Sequence, residues 1–132
     1  MKLFSWQTAF HILLPLIAGI TCYILFRKDT WLHQQFFFTQ RFPLIEAKGT
    51  GMKIIAFNLP DFCWSYSLSA ALFTWKKWSG ASIRYFSLLV LLVLMGSELI
   101  QILLSGTFTF DWIDILAAFN AFLLSYYTSF KN

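Results

Sequence analysis

The sequence predicts an all-α polytopic membrane protein with four transmembrane helices and a long aromatic first loop. Hydrophobic residues make up 58% of the 132 residues and charged residues only 12%, which is too apolar for an ordinary soluble domain. The mean hydropathy of +0.65 agrees with this interpretation. The apolar residues fall into four runs and most charges lie between them, so we expect one transmembrane domain over residues 1–132.

Each apolar run predicts one helix. The predicted helices cover about residues 9–26, 59–75, 85–104 and 111–128. The third run is long enough to cross a hydrocarbon core of about 30 Å. We expect the second helix to begin near residue 59, because Asn58 suits a helix cap and Pro60 suits a first turn. Residues 27–58 then form an interfacial loop, whose aromatic segment 31–42 suits the headgroup region.

The positions of lysine and arginine predict the orientation. With four spans, the N-terminus, the 76–84 loop and the C-terminal tail share one side of the membrane. Five basic residues fall on that side and five on the other, so the totals do not decide. The compact group Lys76, Lys77 and Arg84 favours cytoplasmic termini. We therefore expect a multi-pass protein of a bacterial cytoplasmic (inner) membrane, with the long loop outside.

The most informative residue is Glu98, a carboxylate inside the third apolar run. An acid at such a position costs several kcal/mol unless it is paired, hydrated or protonated. Gln101 follows at i+3 and extends a polar stripe along one helix face. Glu98 lies about 9 Å inside the predicted helix end, so we expect it to face the bundle or a cavity. A structural hydrogen bond between helices is the alternative role.

Two further acids begin the fourth predicted helix. Asp111 and Asp114 are expected near the outer face, at a depth similar to that of Glu98. They also suit a capping box, with Asp111 as the N-cap and Asp114 reaching back from N3. Asn120 is rotated away from Asp114 on the same helix and is expected to touch a different neighbour.

The second predicted helix adds three polar or interfacial residues. Asp61, Trp64 and Ser65 share one face of it. A first-turn acid beside an interfacial tryptophan is the simpler interpretation of Asp61 and Trp64. The full set of predicted binding residues is Glu98, Gln101, Asp111, Asp114, Asp61, Trp64, Ser65 and Asn120.

The sequence does not support a metal, redox, nucleophilic or nucleic-acid-binding site. Cys22 and Cys63 lie in apolar runs without metal or redox spacing, and we interpret them as buried free thiols. His11 and His33 have no second ligand at helical spacing, so we expect no metal site and no cofactor. There is no nucleophile motif. The net charge of +4 fits contact with anionic lipid, and no basic stripe interleaves with aromatics as in nucleic-acid-binding proteins.

The polar residues of the second half form a pattern. Glu98 and Gln101 stand three apart, and a short loop leads to the Asp-rich helix start at 111–114 and then to Asn120. This pattern resembles the VanZ-like family of small bacterial integral membrane proteins over about residues 60–125. The chain departs from the family in two places: the loop Gly106-Thr-Phe-Thr-Phe lacks the frequent Arg, and Asn120 is not followed by Gly. The resemblance implies a four-helix membrane protein, linked in some members to low-level teicoplanin resistance, and supplies no reaction.

These features predict a small inner-membrane protein, and they favour a binding role over an enzymatic one. Its acidic pocket near the outer face would bind a lipid headgroup, a cation or a partner side chain, with Glu98 as the central group. Two alternatives stay open: an accessory subunit of a larger membrane protein complex, and an enzyme acting on a lipid-linked cell-envelope intermediate. The expected partners are the lipid bilayer and a membrane protein or larger complex. A homo-oligomer also stays open, and no nucleic acid is expected.

Overall fold

The computed structural model describes residues 6–26, 45, 47–80, 82–103 and 112–130, apart from the side chains at positions 78, 98 and 101–103. Over these residues the regular structure is all α-helical, and the prediction of four helices is confirmed. The helices are α1 (Trp6–Phe26), α2 (Thr50–Ser79), α3 (Ile83–Leu103) and α4 (Trp112–Phe130). The predicted interfacial segment 31–42 lies outside the described residues.

The second helix is longer than the sequence predicts. α2 spans 30 residues and begins at Thr50, so a loop that continues to residue 58 and a helix start near 59 are both wrong. Gly49 precedes the helix with a φ of 90°, a value at which a residue with a Cβ is strained. Pro60 therefore lies inside α2 and not in its first turn.

Pro60 is tolerated inside α2 because the carbonyl that it leaves unpaired has another donor. Proline has no N–H for the carbonyl four residues earlier, which here belongs to Ala56. The thiol of Cys22 in α1 donates to that carbonyl oxygen at an Sγ–O distance of 3.7 Å. Cys22 and Ala56 are both buried. A neighbouring helix therefore compensates the proline, and the sequence rule that reads proline as a helix start fails.

α1 and α2 approach each other closely where Gly19 faces Cys63. A Cβ atom at position 19 would lie 2.9 Å from the Cβ of Cys63 and 3.4 Å from the carbonyl oxygen of Pro60. Small residues at a helix crossing let the backbones pack together, as is common between helices in lipid. Cys22 and Cys63 are free thiols and both are buried, which confirms their predicted state.

The aromatic core forms around Phe73 of α2, which is fully buried. Its ring centre lies 5.8 Å from that of Phe122, and 5.7 and 5.5 Å from those of Tyr126 and Phe130, all in α4. Such tilted and edge-to-face contacts stabilise aromatic pairs beyond their buried area. α3 contributes three further members of the cluster: Phe86, Val90 and Leu94. Phe73 thus joins three helices.

Helix directions follow from these contacts. The first turns of α3, with Ile83 and Arg84, share a groove with Phe122 and Tyr126 in the second half of α4. α3 and α4 are therefore antiparallel. The end of α2 lies beside the end of α4, because Nζ of Lys76 is 5.6 Å from the ring centre of Phe130. α2 and α4 therefore run in the same direction.

Gly80 forms the short turn between α2 and α3. Its φ of 65° and ψ of 1° give the left-handed C-cap that glycine adopts at helix ends. Lys76 and Lys77 occupy the last turn of α2, where cations complement the helix dipole. Arg84 follows in the first turn of α3. We call this group, Lys76, Lys77 and Arg84, the basic end of the bundle.

Large apolar side chains cover much of the bundle surface. Trp6, Tyr85 and Trp112 are 88%, 79% and 72% exposed, and exposed leucine or isoleucine side chains occur on all four helices. Monomeric soluble proteins rarely show contiguous apolar surface on this scale. α1 and α4 are long and apolar enough to cross a membrane, which is compatible with a membrane protein.

Candidate functional site

The end of α3 and the beginning of α4 meet at one end of the bundle, because the two helices are antiparallel and consecutive. Glu98 and Gln101 belong to the last two turns of α3, and Asp114 belongs to the first turn of α4. The backbone thus brings predicted acids of two helices to the same end. We call Glu98 and Asp114 the acidic end; it lies opposite the basic end.

Position 98 continues the spacing of a row of buried residues along one side of α3. Phe86, Val90 and Leu94 are buried at intervals of four residues, and position 98 is the next member of that row. Gln101 follows Leu94 by seven residues, two helical turns, and so falls on the same side of the helix. The side chains of Glu98 and Gln101 lie outside the described residues, so their contacts stay predictions.

The start of α4 carries the two predicted aspartates. Asp114 is half-buried and interacts with neighbouring groups. Its position at the N-terminal end is favourable, because the helix dipole stabilises negative charge there. α4 begins at Trp112, directly after Asp111 in the sequence. Asp111 itself lies outside the described residues, and its role as the N-cap stays a prediction.

The interpretation of Asp61 as a first-turn acid is wrong, because α2 begins earlier than predicted. Asp61 comes eleven residues after Thr50, about 16 Å along the helix. It is half-buried and also interacts with neighbouring groups. Trp64 is 48% exposed, whereas Ser65 is buried. The three residues lie on one side of a continuous helix, as predicted, and they differ in burial; a common binding role for them stays a prediction.

Asn120 is placed apart from the acids. Its side chain is exposed, and Nδ2 donates to the carbonyl oxygen of Leu116 at 2.8 Å, within its own helix. An amide engaged with the preceding turn has its hydrogen-bonding capacity partly used locally. Among the described residues, no group of three histidine, cysteine, aspartate or glutamate side chains is arranged to hold a metal ion.

A polar connection that the sequence analysis missed links three helices. Nδ1 of His11 in α1 lies 3.0 Å from the hydroxyl of Tyr66 in α2. The same hydroxyl lies 3.2 Å from Oγ1 of Thr128 in α4. His11 looked isolated because its partner is 55 positions away. No local spacing rule finds such a pair, although a polar residue on an apolar helix commonly signals a partner on another helix.

A groove adjoins this polar connection at the surface between α1 and α2. It has a volume of about 580 Å³ and is lined mostly by apolar side chains, among them Trp6, Phe10 and Leu14. His11 and Tyr66 also line it. The first half of α1 lines the groove. α1 runs antiparallel to α2, because His11 contacts Tyr66 whereas Cys22, later in α1, contacts Ala56, earlier in α2. The groove therefore lies toward the basic end of the bundle.

Comparison with known proteins finds no match for this chain among protein families, characterised proteins or solved structures. The resemblance to the VanZ-like family over about residues 60–125 therefore rests on the sequence pattern alone.

Proposed function

We propose that the chain is a small integral membrane protein whose four helices all cross the bilayer, in the manner of the VanZ-like proteins. The exposed apolar surface supports this proposal, because it occurs on all four helices and not only on α1 and α4. The apolar stretch Ile83–Ser97 would form the membrane part of α3. α2, at about 45 Å, is long enough to cross and to extend beyond the hydrocarbon core.

The basic end supports an orientation with both termini in the cytoplasm of a bacterial cell. Lys76, Lys77 and Arg84 gather at the short turn between α2 and α3. Short loops rich in lysine and arginine stay on the cytoplasmic side. The acidic end would then face outward, together with the beginning of α2.

The proposed activity is binding of a cationic group at the acidic end. The observation that carries this proposal is that antiparallel packing of α3 and α4 brings the backbone positions of Glu98 and Asp114 to one end of the bundle. An acid in an apolar helix is costly to keep without a counter-charge. A cation, a lipid headgroup with a positive charge or a basic side chain of a partner would supply it, with Gln101 orienting Glu98.

Two alternative functions imply a different partner or substrate for the protein. As an accessory subunit, the chain would hold a protein partner against its exposed aromatic surface, where Trp112 and Tyr85 are prominent. As an enzyme on a lipid-linked envelope intermediate, it would use the acids as general acid-base groups or metal ligands. Nothing in the arrangement of the described residues favours a particular reaction.

Purification in native membrane discs tests the proposal with Glu98→Gln, which removes the charge and keeps the size. Proteins, lipids and divalent ions retained by each variant are quantified by mass spectrometry and elemental analysis. We expect the wild type to retain one cationic partner, and Glu98→Gln to lower its retention by at least about tenfold, as when one member of a buried charge pair is removed.

The matched control is Ser97→Ala on the same helix, because the Ser97 hydroxyl donates to its own backbone at the carbonyl of Leu94. It should retain the partner at the wild-type level. A stoichiometric protein lost with Glu98→Gln identifies a partner subunit, and a lipid identifies a headgroup site. A divalent ion identifies a cation site, which is also what a metal-dependent enzyme requires. Equal retention by Glu98→Gln and wild type contradicts a binding role for the acidic end.

A further inference from the structure

The groove between α1 and α2 combines an apolar channel with a polar edge. Apolar side chains from Trp6 to Leu14 line about 14 Å of α1, and Phe62 closes the α2 side. No charged residue is among the groove-lining residues that the structure describes. Its volume of about 580 Å³ lies within the range of roughly 300–1,000 Å³ that is typical of small-molecule sites. The groove therefore suits an uncharged hydrocarbon chain.

The polar edge is formed by His11, with Gln7 one turn before it and Tyr66 across from it. Since Nδ1 of His11 is engaged with Tyr66, Nε2 is the ring nitrogen left for a ligand. A ligand with one polar group at the end of an apolar chain would match this arrangement.

The hydroxyl of Tyr66 holds the Nδ1 side of the His11 ring. It lies 3.0 Å from Nδ1 and 3.2 Å from Oγ1 of Thr128. A hydroxyl both donates and accepts, so it pairs with Nδ1 whether or not that nitrogen carries the hydrogen. Nε2 is a bare acceptor when the hydrogen is on Nδ1, and an N–H donor when it is not.

The two forms of the ring restrict the group that Nε2 can bind. A bare Nε2 needs an O–H donor, whereas Nε2–H donates to an acceptor oxygen. A carboxyl group matches either form, because a carboxylic acid donates to bare Nε2 and a carboxylate accepts from Nε2–H. An ester offers only acceptor oxygens and leaves a bare Nε2 without a partner.

We propose that this groove binds a long-chain fatty acid, with the hydrocarbon chain along α1 and the carboxyl group at Nε2 of His11. The amide of Gln7 can donate to the second carboxyl oxygen. The site is separate from the acidic end and lies toward the opposite end of the bundle. Its occupancy therefore does not depend on Glu98, and either site can fail its test while the other passes.

Native mass spectrometry of the detergent-solubilised protein, titrated with oleic acid, tests the apolar channel. Leu13 and Leu14 are adjacent exposed residues of α1, 51% and 55% exposed, but only Leu14 lines the groove. Leu14→Trp fills the channel and should weaken oleic acid binding by at least about tenfold. Leu13→Trp should stay within about twofold of wild type, since it alters the surface outside the groove. Equal affinities of the two variants overturn the proposal.

Methyl oleate tests the polar edge, because it has the same chain and lacks the acidic proton. The wild type should bind oleic acid about tenfold or more tightly than methyl oleate, as expected for a hydrogen bond to a charged group. His11→Phe should bring the affinity for oleic acid down to that for the ester while the ester affinity is retained. Equal binding of acid and ester by the wild type overturns the proposal. Retained helical circular dichroism shows that each variant is folded.

Discussion

Phe73→Ala should be the most destabilising single substitution in the core. Phe73 is fully buried, and its ring is in contact with Phe122, Tyr126 and Phe130. Truncation removes these contacts and leaves a cavity, which costs about 3–5 kcal/mol in protein cores. Because Phe73 also clusters with residues of α3, its truncation weakens the packing of three helices at once.

The reactivity of the native thiols measures this effect. Cys22 and Cys63 are buried and lie between α1 and α2, away from Phe73, so a thiol-reactive dye reports unfolding without changing the mutated region. Leu68→Ala is the control on the same helix, since Leu68 is 42% exposed; it should change the stability by about 0.5 kcal/mol or less. Equal melting temperatures for Phe73→Ala and Leu68→Ala would contradict the proposed core.

Gly19→Ala should have the second-largest effect, because it forces α1 and α2 apart. The new Cβ would lie 2.9 Å from the Cβ of Cys63, an atom fixed to the backbone that cannot rotate away. Overpacking of this kind costs about 1–3 kcal/mol. The shift would also lengthen the bond from Cys22 to Ala56, which compensates Pro60.

Gly96→Ala is the matched control for Gly19→Ala. A Cβ at position 96 would meet nothing within 4 Å, and alanine favours a helix over glycine by about 1 kcal/mol. Thermal unfolding followed by circular dichroism should therefore show a lower melting temperature for Gly19→Ala and an unchanged or higher one for Gly96→Ala. The same direction of change in both variants would contradict the close approach at Gly19.

The apolar runs were sufficient to predict α1, α3 and α4 with nearly correct bounds, but they did not predict where α2 begins. α1, α3 and α4 coincide with continuous apolar runs, whereas the first turns of α2 include Lys53 and Asn58 and look like a loop. Pro60 strengthened that error. The helix accommodates this proline through a hydrogen bond from Cys22, a residue of another helix, to the carbonyl of Ala56. A rule based on neighbouring residues cannot include a hydrogen-bond donor from another helix.

The two candidate sites also differ in how far the sequence predicts them. The chain order of Glu98 and Asp114 is enough to predict that their backbone positions fall at one end of the bundle, since consecutive antiparallel helices place them there. His11, Tyr66 and Thr128 come together only through packing, over separations of 55 and 62 positions. The depth of Asp61 could not be predicted, because it depends on where α2 begins.

The central claim is that the helices cross a membrane, with the basic end in the cytoplasm. Thr50→Cys and Ser82→Cys test it most directly. Both substitutions nearly conserve size and keep every charge. Thr50 begins α2, Ser82 lies just past its other end, and both positions are exposed. They are introduced separately after Cys22→Ser, which keeps a donor for the carbonyl of Ala56, and Cys63→Ser. Intact bacterial spheroplasts are then treated with a membrane-impermeant maleimide.

We expect Thr50→Cys to react in intact spheroplasts, and Ser82→Cys to react only after permeabilisation, because α2 separates the two positions by a bilayer. The opposite pattern would reverse the orientation and contradict the cytoplasmic assignment of the basic end. Reaction of both positions in the same compartment would show that α2 does not cross the membrane, and would contradict the four-span account.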